Sequence, residues 1–225
     1  MLWYKGWLET RFRLLIALGL FGPLFAGIAS LQPQVQVRAI AFSVTYGVVF
    51  ISIMLSGAGI ATTRSLQATK GLHGSTLFTL SLPVSRFRLL AVRATLGWLE
   101  MTGAIGAMCC GLWILFPVLR ATVTPEEMLK YTITLVVCTS GLYSIAVLLA
   151  TFLDNPGRTW GCMLGFGALW WPANHIPASV NIFRVMDEGS PLITHTMPST
   201  EMAVSLGLAA ILFFAALKVV QTREY

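Results

Sequence analysis

The 225 residues would ordinarily make one or two soluble domains, but 56% are hydrophobic and only 11% charged, with a mean hydropathy of +0.77, where soluble chains carry roughly 25% charged residues. Such a chain cannot cover itself with polar surface, so a soluble globular fold is excluded and lipid is its solvent. The net charge of +6 would suit a nucleic-acid binder, but the basic residues are better explained as those of cytoplasmic loops.

Residues 1–12 read as a short amphipathic helix. Trp3 and Trp7 share one face, while Lys5, Glu9 and Arg11 supply charge elsewhere, a pattern suited to the membrane surface. A basic start, an apolar run and the small residues Gly27-Ile28-Ala29 also resemble a secretory leader. The length of the segment and its Trp3, Tyr4 and Trp7 instead favour a retained helix.

A span needs about twenty mostly apolar residues, and six stretches qualify: 13–31, 39–61, 89–117, 131–153, 159–176 and 202–220. The predicted fold is therefore an all-α integral membrane protein, a single transmembrane domain of six helices over residues 1–225. With both termini cytoplasmic, eleven basic residues lie inside: Lys5, Arg11, Arg13, Arg64, Lys70, Arg86, Arg88, Arg93, Arg158, Lys218 and Arg223. Four lie outside, Arg38, Arg120, Lys130 and Arg184, and this asymmetry sets the orientation. Trp113, Trp170 and Trp171 fall near outer ends, as interfacial anchors should.

Two connections stand out. The outer one, 177–201, holds Asp187, Glu188 and His195, and its apolar centre Val180–Met186 suits either a re-entrant segment or a surface loop. The inner one, 62–88, is the longest cytoplasmic piece. Gly71 and Gly74 interrupt the second helix. Ser75 can cap a short helix over 76–82, Pro83 ends it, and Ser85 can cap the third span.

Within that connection, Thr76-Leu77-Phe78-Thr79-Leu80-Ser81-Leu82-Pro83-Val84-Ser85-Arg86 resembles the signature "GTLxxLLSLPVSR" that follows the second span in ABC-2 type transporter permeases. The resemblance implies the transmembrane subunit of an ATP-driven exporter in a bacterial or archaeal plasma membrane. It also implies a homodimer or a pairing with a similar chain, and short re-entrant helices before the last span. In this family a cytoplasmic coupling helix docks on separate ATPase subunits, which bind ATP and magnesium. Carried over, the coupling positions are Thr76, Leu77, Leu80, Leu82, Pro83, Ser85 and Arg86. Just upstream the family commonly has glutamates, whereas this chain has Gln67, Lys70 and His73, so Lys70 and His73 would make a different contact.

Other candidates are fewer. No GxxxxGK[ST] pattern occurs within these residues, so ATP hydrolysis falls to a partner and the chain is not expected to be an enzyme. Glu100 is the one acid well inside an apolar segment. It either contacts a cationic substrate or protons, or sits near the inner interface and pairs structurally, seven residues from Arg93. Gly161 and Gly165 form a GxxxG that permits close helix packing. Glu126-Glu127 falls in an outer loop. Cys109, Cys110, Cys138 and Cys162 lie in apolar segments without metal-ligand spacing, and no metal or nucleic-acid partner is expected. The readings that compete with an ATP-coupled permease are an ATP-independent carrier or channel and a non-transporting membrane scaffold.

Overall fold

A computed structural model describes residues 33–56, 86–152, 161–165 and 181–222, together with Tyr4, Trp7, Arg11, Leu15 and Gly19, each of which is helical. The described residues contain no strand. The named elements are α1 (Pro33–Ser56), α2 (Arg86–Leu115), α3 (Pro117–Thr122), α4 (Pro125–Phe152), α5 (Ile182–Met186), α6 (Pro191–Thr194) and α7 (Ser199–Thr222); residues 161–165 are also helical.

Among the described residues, three helices are long and apolar enough to cross a membrane: Leu90–Leu115, Pro125–Thr151 and Ser199–Thr222. The apolar stretch of α1, Val37–Ile53, is shorter. The third, fourth and sixth predicted spans thus coincide with α2, α4 and α7. The second overlaps α1, with 57–61 outside the described residues, as are most of the first and fifth.

Boundaries moved where polar residues favour helix. The fourth helix begins at Pro125 rather than Tyr131, because Thr124 and Glu127 form a reciprocal cap. Glu127 Oε2 accepts from the Thr124 backbone N–H at 2.8 Å, and Thr124 Oγ1 accepts from the Glu127 N–H at 3.3 Å. Glu126 and Glu127 therefore belong to the first turn of α4, where carboxylates suit the helix dipole, and not to a loop. At the other junction Pro117 forces Phe116 into extended backbone (φ −103°, ψ 103°). The third helix consequently stops at Leu115, short of the expected Pro117, and Pro117 opens α3.

Side-chain contacts give the helix directions. Tyr143 reaches the Ala94 carbonyl and Trp98 reaches Ser140, so α2 and α4 are antiparallel. Thr134 meets Met202, and Ser205 meets the Val137 carbonyl, each pair 68 positions apart. A constant offset means that α4 and α7 are parallel. Ile53 and Ala146, both late in their helices, pack together with Met163, so α1 also runs with α4.

The bundle therefore has two ends. One carries Arg86, Arg88, Arg93 and Lys218; the other, capped by α3, α5 and α6, carries Arg38, Arg120, Lys130 and Arg184 among Glu126, Glu127, Asp187, Glu188 and Glu201. We call these the Arg86 end and the α3 end.

Helix faces follow the 3.6-residue period. Ile40, Val44, Val48, Ile51 and Leu55 of α1 are buried, as are Leu90, Ala94, Met101, Ile105, Met108 and Leu112 of α2. Burial is deepest in α4, where 67% of the apolar window is covered by protein, against 39% for α2 and 22% for α7. Several buried hydroxyls are satisfied locally: Thr45, Thr134 and Ser140 donate to carbonyls four residues back. In lipid, where apolar surface gains little by meeting apolar surface, close packing and interhelical hydrogen bonds of about 0.6 kcal/mol each hold such helices together.

Candidate functional site: a polar seam and a capped bundle end

The seam lies between α2 and α4. Trp98 donates its indole N–H to Ser140 Oγ at 2.8 Å, and Tyr143 donates its hydroxyl to the Ala94 carbonyl at 2.9 Å. Gly97 makes this approach possible, since a Cβ there would stand 2.5 Å from the Tyr143 oxygen and 3.4 Å from the Leu55 carbonyl. Glu100 is one turn further along α2. It is buried, at 7% exposure, and within electrostatic range of the Tyr143 phenol.

Glu100 stands ten residues into the apolar stretch that starts at Leu90. That is about 15 Å of helix, half of a hydrocarbon core of about 30 Å. Glu100 sits at the middle of α2 (Arg86–Leu115) and is buried among protein. A carboxylate inside so apolar a helix is costly unless it faces the bundle or water, and here it is buried against protein.

The second polar site covers the α3 end. His195 Nδ1 and Glu127 Oε1 are 2.7 Å apart. Beside them Lys130 pairs with Glu126 at 2.7 Å, and Arg184 with Glu188 at 3.2 Å. An open cleft of about 450 Å³ is lined by Arg184, Glu188, Gly189, Thr194, Thr196 and Glu201. Asp187, at the end of α5, is held above the usual carboxylate range by partial burial and then by the charge of Glu188. The apolar run 180–186, offered above as re-entrant segment or surface loop, is buried by protein from Ile182 to Met186 except at Arg184.

Of the predicted coupling residues, Lys70, His73, Thr76, Leu77, Leu80, Leu82, Pro83 and Ser85 lie outside the described residues, and Arg86 is the first residue of α2. Gly161 and Gly165 are helical and exposed, with nothing within 4 Å of a Cβ built on either. The described residues hold no group of three or more His, Cys, Asp or Glu side chains able to hold a metal.

Sequence reasoning missed the pairing of Glu127 with His195, which are 68 positions apart. The T-x-x-E pattern of Thr124 and Glu127 was the available signal for half of it. Comparison with models of known protein families, with curated protein sequences and with solved structures finds no match to this chain.

Proposed function

We propose that this chain is the permease subunit of an ATP-driven ABC-2 type exporter, with 62–88 as the region that couples it to separate ATPase subunits. The observation that carries the proposal is the run Thr76–Arg86 and its position. Its last residue is the first of α2, so a push on the run would act directly on a 30-residue helix. That helix carries Glu100 and the seam with α4.

Two features of the bundle support the six-span layout. Because α4 and α7 are parallel, the chain between Phe152 and Asn181 has to return from the Arg86 end to the α3 end, as a fifth crossing would do. The Arg86 end gathers basic residues, whereas acids balance them at the α3 end. A cytoplasmic Arg86 end would obey the positive-inside rule, and the coupling region would then lie on the side that holds ATP. Alternating access would then move α2 against α4, and substrate identity is not encoded in apolar spans.

The test is to tag the chain, extract it in mild detergent and identify what co-purifies. A stoichiometric partner with a Walker A motif supports the proposal. An empty result, repeated after crosslinking, defeats it. A second reading, an ATP-independent ion-coupled carrier, is favoured by Glu100 in mid-bundle. It predicts transport that survives ATP depletion, follows an ion gradient and is lost in Glu100→Gln.

A further inference from the structure

Residues 181–198 are braced mainly by themselves. Asn181 Oδ1 accepts from the Arg184 N–H at 3.3 Å, and Arg184 reaches Glu188. The Gly189 N–H donates to the Arg184 carbonyl at 2.9 Å, and Thr194 Oγ1 donates to the Ser190 carbonyl at 3.0 Å. The underside is apolar: Ile182, Phe183, Val185, Met186 and Leu192 are buried, with α5 packed on α1, α4 and α7 and α6 on α1 and α4. Internal bracing with an apolar base describes a piece that can leave its seat without coming apart.

Beneath it Thr139 Oγ1 of α4 donates to Met186 Sδ at 3.8 Å, and at its far end an exposed polar side-chain contact pins it to the bundle. His195 ends α6 in the left-handed region (φ 56°, ψ 8°), its N–H donating to the Pro191 carbonyl. Few residues other than glycine take that conformation, histidine among the more tolerant. The turn carries the ring to Glu127, which is itself fixed by the Thr124 cap. The side chains are 58% and 20% exposed, so water competes for the contact, which therefore belongs to the weak, reversible class.

We propose that residues 181–198 form a lid over the α3 end of the bundle and that the Glu127–His195 contact is its latch. Opening breaks the latch and lifts α5 and α6 as a unit off α1, α4 and α7. That opening is a property of the chain alone; its use as a gate for substrate rests on the transport reading above.

Ser190 supplies the reporter. It is fully buried, and its hydroxyl has no hydrogen-bond partner among the described residues, so Ser190→Cys changes little until the lid lifts. In a chain with the exposed Cys110 and Cys162 replaced by alanine, a membrane-impermeant maleimide is applied to vesicles of either orientation. Buried Cys109 and Cys138 must stay unreacted, which marks intact fold. His195→Asn keeps a residue that tolerates the left-handed turn. The expected result is that Glu127→Gln and His195→Asn each raise the labelling rate about threefold, the scale of an exposed pair, and the double variant no further. Unchanged rates overturn the latch, as do effects that multiply in the double variant. The readout uses neither ATPase nor substrate, so failure to find an ATPase partner would leave this result standing, and the reverse.

Discussion

Tyr143 of α4 stands where the side chain of residue 97 would be: a methyl group on Gly97 would lie 2.5 Å from the tyrosine hydroxyl. That hydroxyl is engaged with the Ala94 carbonyl in the turn before, and the ring is only 3% exposed, so it has no room to step aside. Gly97→Ala is therefore expected to lose stability. The overpacking cost of about 1–3 kcal/mol exceeds the gain of about 1 kcal/mol that alanine brings to a helix interior. Gly103→Ala, where nothing lies within 4 Å, should be neutral or stabilising. Thermal unfolding in detergent distinguishes them, and a Gly97→Ala protein as stable as the parent would refute the seam.

The parallel pair α4 and α7 depends on a similar approach. A Cβ on Gly141 would lie 2.9 Å from Ser205 Oγ, which donates to the Val137 or Cys138 carbonyl at 3.2 Å. Gly141→Ala should destabilise by about 1–3 kcal/mol. Ser205→Ala alone should lose about 0.6 kcal/mol, and the double variant should recover part of the Gly141→Ala loss. Equal melting temperatures for Gly141→Ala with and without Ser205→Ala would show that the two do not touch.

Asp187 makes stability depend on pH. Its carboxyl is raised by burial and by Glu188, so the folded state disfavours its charged form. The corresponding stability is complete below the unfolded value near 3.9 and is lost as pH rises through the higher folded value. Asp187→Asn should therefore melt higher than the parent at neutral pH, with the difference shrinking as pH falls toward 4. Parallel melting curves across that range would contradict the burial of Asp187.

In the coupling region, a double replacement of Leu80 and Leu82 by aspartate should abolish ATPase association and transport while membrane insertion persists. Fractionation, co-purification and transport assays together read this out. Transport at the parental rate would remove 76–86 from the coupling role.

How much of this could be read beforehand varies with the physics of each feature. The helices α2, α4 and α7 were legible because a run of apolar residues longer than the bilayer is thick has few other uses. Which way they face was not. Leu99 is 52% exposed and Met101 fully buried, yet both are apolar, since lipid and bundle interior select similar side chains. Amphipathic patterning, the strongest guide in soluble helices, is thereby erased. The start of α4 was missed because hydropathy reads Pro125-Glu126-Glu127 as loop, whereas capping makes it helix. Glu100 was legible as the one acid in an apolar run. Its depth and its neighbour Tyr143 needed the α2–α4 register, and the partnership of Glu127 with His195 needed the α4–α7 offset.

The central position of α4 has a consequence for synthesis. Two thirds of its apolar window is covered by protein, and part of that cover, including Ser205 against Gly141, comes from α7 near the C-terminus. While the chain leaves the ribosome, α4 enters the bilayer with that groove still facing lipid, and it is completed only when α7 follows. A chain stopped before residue 199 would leave the Gly141 face of α4 without the cover that α7 supplies.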